Sequence, residues 1–172
     1  SEWYSIISDI DNADSSLIWT FSDVDSLNIT QINDLVFITP NLNWYGADTI
    51  NIIASDGFLS DTINWLINVS PINDPPILDS IPHIIFPEDS SAIILLDNYV
   101  SDVDDNISDL SWSASTNTEE ITIVIDSLAH TMTISPDSNY FGENILVSIS
   151  VQDTSLSADT INIGVTVTAV ND

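Results

Sequence analysis

The chain has 172 residues, of which 44% are hydrophobic, so it can bury a core and is not expected to be disordered. It carries 27 acidic residues but no Lys, Arg or Cys, and its formal net charge is −27 at pH 7. This composition argues against binding to nucleic acids or anionic membranes, because no basic side chain can neutralise phosphate. It also excludes disulfides and thiolate metal ligands. No apolar run reaches the length of about 18 residues that a transmembrane helix requires.

The acidic residues are of an unusual kind, since 22 of them are Asp and five are Glu. Asp is favoured in turns and is a short oxygen ligand for hard cations, whereas a helical protein would favour Glu. The acidity therefore points to loops, and to metal cations that come from solution. Solvated turn residues that bind no ion are the alternative interpretation.

Short motifs occur twice in the chain, at an offset that grows from 93 to 98 residues. The matched segments are residues 7–11 and 100–104, 17–19 and 110–112, 43–46 and 139–142, 61–64 and 159–162, and 73–74 and 171–172. Such repetition indicates tandem copies of one structural unit. We expect two domains, residues 1–74 and residues 75–172. The first copy has no counterpart of residues 75 to about 93, so the chain start is expected to cut through a repeat and to leave the first domain without its leading strand.

Within each copy the apolar residues alternate with a period of two, as in half-buried strands. In the first copy this pattern is clearest over residues 62–69. In the second copy it predicts seven strands, at about residues 81–86, 92–96, 110–115, 121–126, 130–135, 144–152 and 160–169. No segment has helical periodicity over ten residues. The expected fold class is therefore all-β, with two tandem seven-strand Greek-key sandwiches of the immunoglobulin-like kind.

Several motifs resemble those of cadherin repeats. Pro87-Glu88-Asp89 is similar to the cadherin PE motif, and Asp102-Val103-Asp104 is similar to the DxD motif between the second and third strands. Asp153 resembles the lone Asp between the sixth and seventh strands, and Ile72-Asn73-Asp74-Pro75-Pro76 resembles the linker between domains. The order of these motifs makes the chain look like a pair of the cadherin-like repeats found in large bacterial surface proteins and adhesins.

The resemblance implies Ca²⁺ at the junction between repeats. Strand topology places the loops after the second and sixth strands at the end of the sandwich that the linker enters, so their oxygens can converge there. Carboxylate and carbonyl oxygens suit Ca²⁺, which takes six to eight of them. The expected metal ligands at this junction are Asn73, Asp74, Asp102, Asp104, Asp153 and, from the first copy, Asn43.

Further junctions are implied on either side of the chain. The ligands expected at an upstream junction are Asp9, Asp11 and Asp56, and those expected at a downstream junction are Glu88, Asp137, Asn171 and Asp172. Cadherins usually have an acidic residue where the first copy has Asn43, so one ion or a weak site is expected at the central junction.

Other conspicuous side chains have structural interpretations. Trp19, Trp112 and Trp65 are expected in the cores, and His83 and His130 lack the spacing of metal ligands. The aromatic corners that precede Gly46 and Gly142 could stack on sugars, but their recurrence favours a structural turn.

The sequence thus suggests a structural spacer, stalk or fibre repeat of an extracellular surface protein, stiffened by Ca²⁺ and supporting adhesion. Its partners would be neighbouring repeats, further copies of itself, or a surface glycan or protein. The alternatives are a carbohydrate- or protein-binding module and a strand-exchange subunit of an extracellular filament. No catalytic motif is evident, and no enzyme activity is expected.

Overall fold

The structure is a computed structural model that describes residues 8–11, 13, 16–33 and 35–171. The chain divides into two compact units, residues 1–72 and residues 73–172, which are called the first and second units below. The boundary lies two residues before the one expected from the repeat. The described residues contain no α-helix, which confirms the all-β fold class, and Leu96–Tyr99 and Ile107–Asp109 form short 3₁₀ turns. No helix in the described ranges is both long and apolar enough to span a membrane.

The first unit contains five strands in its described part. They are β1 (Ile18–Phe21), β2 (Leu27–Ile32), β3 (Leu35–Pro40), β4 (Gly46–Ser55) and β5 (Ser60–Val69). Strands β1, β4 and β5 form an antiparallel sheet in that order, and β2 and β3 form a hairpin. The buried apolar side chains among the described residues of this unit are Leu27, Ile50, Ile52 and Ala54.

The second unit contains nine strands. They are β6 (Ile77–Leu78), β7 (Ile84–Pro87), β8 (Ala92–Leu95), β9 (Val100–Ser101), β10 (Ser111–Thr116), β11 (Ile121–Asp126), β12 (Thr131–Pro136), β13 (Gly142–Gln152) and β14 (Ala158–Thr168). The sheets have the orders β10-β13-β14-β7 and β11-β12-β8, and β6 pairs with β9. The seven strands predicted from the sequence are all present. The pair β6 and β9 was not predicted, because two-residue strands show no periodicity.

Alternation along β13 and β14 builds the core of the second unit. Val147, Ile149 and Val151 point to one side of β13 and are fully buried, while the residues between them lie half-buried or exposed. Val147 and Ile149 pack with side chains from both sheets, including Phe86 and Ile134. At one end of the unit, a smaller cluster combines Val151 with Leu78 of β6, Val100 of β9 and Leu110, which precedes β10.

The expectation that Trp65 lies in a core is wrong, because 41% of its surface is exposed. Its counterpart in the second unit, Ile163, is 3% exposed. Strand β7 pairs with β14 in the second unit, whereas β5 pairs only with β4 among the described residues of the first unit. Trp19 and Trp112 fit their predicted core role only in part, since each is half-buried on its strand.

The recurring aromatic corners are tight turns. Asn43 and Asn139, which occupy matched positions, have left-handed backbone angles with φ of 59° and 60°. Asn tolerates this conformation better than most residues. Gly46 follows with φ of 132°, which strains any residue that has a Cβ atom. Backbone geometry therefore explains why Asn recurs, whereas Gly142 is explained by space, since a Cβ atom there would lie 2.9 Å from the hydroxyl oxygen of Tyr140.

Candidate metal site

The candidate site lies at one end of the second unit, where three segments meet. Asn73 and Asp74 lead into β6, Asp102 directly follows β9, and Asp153 directly follows β13. Strand β6 pairs with β9, so the entering segment runs beside the loop that holds Asp102. Asp159 on β14 accepts a hydrogen bond from the backbone N–H of Leu78 at 2.9 Å and fixes β6 to the larger sheet.

Asp102 has one satisfied and one unsatisfied carboxylate oxygen. Its Oδ1 accepts hydrogen bonds from the backbone N–H groups of Asp104 and Asp105, each at 2.8 Å. Its Oδ2 is buried and has no hydrogen-bond partner. A buried polar atom without a partner costs free energy, so this oxygen needs a donor or a cation.

Asp153 is 3% exposed and holds the entering segment in place. Its Oδ2 accepts a hydrogen bond from Nδ2 of Asn73 at 2.8 Å, and its Oδ1 accepts one from the backbone N–H of Ser157 at 2.8 Å. Burial penalises the charged form, but the hydrogen bonds from Asn73 and Ser157 outweigh it and hold the pKa of Asp153 below its ordinary value. Asp153 is therefore a carboxylate that stays ionised inside the fold.

Asp105 is a site residue that the sequence analysis missed. Its Oδ1 accepts a hydrogen bond from the Thr154 hydroxyl at 2.8 Å, which joins the two loops. One carboxylate oxygen from each of Asp102, Asp105 and Asp153 lies within 4.8 Å of the others. Ca²⁺ ligands lie at about 2.3–2.6 Å from the ion, so two oxygens on one ion are at most about 5 Å apart. The spacing and the oxygen donors fit one Ca²⁺ ion.

Asp104 and Asp74 are joined to each other beside this cluster. The backbone N–H of Asp74 donates to Oδ2 of Asp104 at 2.7 Å. Hydrogen bonds or shared loops thus bring together five of the six residues predicted for the central junction. They are Asn73, Asp74, Asp102, Asp104 and Asp153. Asn43 belongs to the first unit, where it is exposed in the turn before β4, and its role as a ligand stays a prediction.

The first unit contains a related acidic cleft of about 390 Å³, lined among others by Asp9, Asp11, Asp56 and Asp61. The backbone N–H of Asp11 donates to Oδ1 of Asp9 at 2.8 Å, as Asp104 does to Asp102. The backbone N–H groups of Leu59 and Phe58, each at 2.7 Å, lower the pKa of Asp56. The three residues predicted for an upstream junction therefore line one cleft. Asp61 was missed there.

Among the described residues predicted for a downstream junction, Glu88 is bonded to the segment that holds Asn171, and Asp137 lies in a different turn. Glu88 is 7% exposed, and its Oε1 accepts a hydrogen bond from the backbone N–H of Val170 at 2.7 Å, next to Asn171. Asp137 is exposed in the turn after β12, where its backbone N–H donates to the carbonyl oxygen of Glu120 at 2.8 Å. Asp172 lies outside the described residues.

Comparison with known proteins finds likeness in structure alone. No protein-family model matches the chain. No curated protein matches it either. The human protocadherin-24 EC1-2 structure matches 95% of this chain and 86% of its own, with a TM-score of 0.58 and 13% identity. The mouse cadherin-23 EC22-24 structure matches 90% of this chain and 53% of its own, with a TM-score of 0.53 and 15% identity.

An endo-fucoidan hydrolase of glycoside hydrolase family 107 is also matched, over 91% of this chain at 20% identity. The chain spans about a quarter of that structure, since it covers 24% of it. The TM-score of this match is 0.43. Taken with the strand topology, the cadherin-domain structures show that the chain has a cadherin-like β-sandwich fold.

Proposed function

We propose that this chain is a pair of spacer repeats of an extracellular adhesion-type protein, and that the second unit binds Ca²⁺ where the linker enters it. The observation that carries the proposal is the buried, unpartnered Oδ2 of Asp102 within a group of three carboxylates. The cadherin-like fold supports the extracellular, adhesion-type role. A bacterial surface protein remains the context that the sequence motifs suggest.

The carboxylates of Asp102, Asp105 and Asp153 would hold the ion. Two carboxylates about 4 Å apart repel by roughly 1 kcal/mol in water, and the repulsion grows as the effective dielectric constant falls. No Lys or Arg is available anywhere in the sequence to offset it. A divalent cation would remove the repulsion and satisfy the Asp102 oxygen. Extracellular Ca²⁺ modules bind with dissociation constants of about 10⁻⁴ to 10⁻³ M, which suits a site of this modest charge.

Ion binding would act on the linker through the hydrogen bonds already described. Asn73 donates to Asp153, and Asp74 donates to Asp104, so the first two residues after the first unit are held by the ion-binding loops. Ordering these loops would restrict the linker and stiffen the connection between repeats. This role is structural, and it calls for neighbouring repeats as partners and for no catalytic residue.

Thermal unfolding of the full chain in Ca²⁺ and in chelator tests the proposal. A ligand at ten times its dissociation constant stabilises the folded state by about 1.4 kcal/mol, so the melting temperature should rise measurably in millimolar Ca²⁺. Mg²⁺ should act more weakly because it requires closer, octahedral coordination. The substitution Asp153→Asn should reduce the Ca²⁺ effect, whereas Glu143→Gln, which changes an exposed carboxylate on β13, should retain it. Equal melting curves with Ca²⁺ and with chelator would contradict the proposal.

A further inference from the structure

The two sheets of the second unit present different outer faces to solvent. On the larger sheet, the outward residues at the centre of β13 and β14 carry hydroxyl or amide groups. They are Ser148, Ser150, Thr160 and Asn162. On the smaller sheet of β11, β12 and β8, the outward residues include Ile93, Val124 and Leu95, which are 70%, 59% and 44% exposed. The smaller sheet therefore has apolar side chains on the face that antiparallel sheets usually make polar.

Cross-strand pairing gathers these apolar side chains around one residue. Thr133 on the central strand β12 pairs with Val124 on one side and with Ile93 on the other. Neighbouring strands are about 4.8 Å apart, so the row from Ile93 through Thr133 to Val124 is about 10 Å long. Leu95 follows two positions after Ile93 and points to the same side of the sheet. These four residues are called the Thr133 face below.

The Thr133 face is neutral in a strongly acidic protein. The three strands that form the sheet are fully described, and the acidic residue among them is Asp126, the last residue of β11. The sequence has 27 acidic residues and no Lys or Arg, so two copies of the chain repel each other and cannot join through side-chain ion pairs with Lys or Arg. A neutral face is where two copies can approach with the least repulsion.

The arrangement of the Thr133 face suits contact with an identical face. In a twofold dimer, the same patch of each copy covers the other. Apolar residues lie on both sides of Thr133, so a twofold axis between the two faces, along or across the strands, places Ile93 of one copy over Val124 or Ile93 of the other. Either alignment buries apolar side chains against each other. A cationic partner would instead be attracted to the acidic loops.

The first unit repeats the apolar pattern at the outward positions of the matching hairpin. Strands β2 and β3 pair as β11 and β12 do. Their outward residues include Ile32, Leu35 and Phe37, and Ile32 pairs with Leu35 across the hairpin. The inward side of the same strands carries its own apolar residues, such as Leu27. The outward apolar residues are therefore additional to those that build the core.

We infer that the Thr133 face is an interface at which the second unit packs on the second unit of another copy. Three strands of four to six residues present a face of about 300 Å². A standard interface buries roughly 800 Å² on each partner, so one pair of faces gives weak, reversible association. Several pairs that engage together would bind much more tightly. The Thr133 face contains no candidate metal ligand, so the inference is independent of Ca²⁺.

A single introduced thiol tests the inference, because the chain contains no Cys. Thr133→Cys places the thiol at the centre of the face, and Ser148→Cys places it on the outer face of the larger sheet as a control. Each full-length variant is treated with a short bismaleimide crosslinker in chelator and about 0.15 M salt, which screens the repulsion between copies. Covalent dimer should form at least about tenfold faster with Thr133→Cys, after both rates are normalised to reaction with a monofunctional maleimide.

Sedimentation equilibrium at high protein concentration measures the association without a crosslinker. The wild type should show a monomer–dimer equilibrium. The double change Ile93→Ser and Val124→Ser should weaken it at least about tenfold, because both copies lose apolar side chains from the interface. The matched control, Ile85→Ser and Leu146→Ser, alters residues that are 64% and 52% exposed on the outer face of the larger sheet. It should leave the dissociation constant within about threefold of the wild type.

Three results would overturn the inference. One is a wild type that stays monomeric at every concentration, which would leave the Thr133 face to a partner of another kind. Another is equal crosslinking of Thr133→Cys and Ser148→Cys, which would indicate random collision. The third is equal weakening by the two double changes, which would place the dimer contact elsewhere. Circular dichroism of each variant checks that the fold is retained.

Discussion

Asn73 donates a hydrogen bond from its Nδ2 to Oδ2 of Asp153 at 2.8 Å, across 80 residues of sequence. The same amide group donates to the hydroxyl of Ser157 at 3.1 Å and to the carbonyl oxygen of Asp74 at 3.1 Å. This single side chain joins the linker to the loop between β13 and β14. The contact joins protein groups alone and fixes the position of the Asp153 carboxylate in the candidate site.

The substitution Asn73→Ala should therefore destabilise the second unit even in chelator. It removes two N–H donors that three acceptors share, from a half-buried amide, and the expected loss is about 1–2 kcal/mol in the free energy of unfolding. Urea denaturation followed by circular dichroism measures it. Asn68→Ala, at an exposed position on β5, is the control and should change the free energy of unfolding by less than about 0.5 kcal/mol. Equal effects of the two changes would mean that the Asn73 contact does not stabilise the fold.

The effect of Asp102→Asn on the stability of the protein should depend on whether Ca²⁺ is present. In chelator the substitution removes one charge from a group of three neighbouring carboxylates, so the protein should be as stable as the wild type or more stable. In saturating Ca²⁺ it removes a ligand, so the variant should be less stable than the wild type. Melting temperatures of both proteins in both conditions give the comparison. A variant that is less stable by the same amount in both conditions would argue against an ion at Asp102.

Some of this fold and site could be predicted from the sequence because the signals are local. Alternation places Val147, Ile149 and Val151 on one face of a strand, and all three are fully buried. The loops that carry Asp102 and Asp153 could be placed at one end of the sandwich because strand direction alternates along the chain.

Other features depend on contacts between distant segments and could not be predicted. The exposure of Trp65 depends on which segments pack against its side chain, which the periodicity of β5 does not reveal. Asp105 was missed because its proximity to Asp153 results from a turn around Asp102, in which one carboxylate oxygen accepts two successive backbone N–H groups. The available signal was Asp105 itself, an acidic residue that directly follows the DxD motif of residues 102–104.

Acid should weaken the second unit partly through Asp126. The backbone N–H groups of Ala129 and Leu128 donate to its Oδ1 at 3.0 and 2.9 Å and lower the pKa of Asp126 below its ordinary value of 3.8. A group whose pKa is lower in the folded state contributes stability that is present above the pKa of the unfolded chain and is lost as the pH falls through the folded pKa. The contribution of Asp126 should therefore be complete at neutral pH, begin to decrease below about pH 4, and be lost fully only below the folded pKa.

Comparison with Asp126→Asn tests this pH dependence, because Asn keeps an oxygen acceptor and lacks the titrating group. The wild type should exceed the variant in urea midpoint at about pH 6, and the difference should shrink at about pH 3. Glu143→Gln serves as the control and should show no such convergence. A difference between wild type and Asp126→Asn that is constant with pH would contradict the assignment.

His130 should be a structural residue of the second unit. It is 5% exposed, and its Nδ1 forms a 2.7 Å hydrogen bond with Oδ1 of Asp97. Its backbone is left-handed, with φ of 46°. His130→Ala should cost about 1–3 kcal/mol through the lost hydrogen bond, and Ala also tolerates this conformation poorly. His130→Asn should cost less, because Asn accepts the conformation. Urea denaturation measures both, and His83→Ala, at an exposed position, should have little effect.

Glycine substitutions at Asn43 and Asn139 separate the conformational role of these residues from metal binding. Both have φ near 60°, which glycine adopts without strain, so Asn43→Gly and Asn139→Gly should leave the free energy of unfolding within about 0.5 kcal/mol of the wild type. Valine at either position should cost about 1–2 kcal/mol, because a β-branched residue is strained there.

Calcium titrations of the two glycine variants then test the ligand role predicted for Asn43. Weaker Ca²⁺ binding by Asn43→Gly alone would show that its amide oxygen binds the ion in addition to shaping the turn. Equal binding by the two variants would show that the turn accounts for both residues.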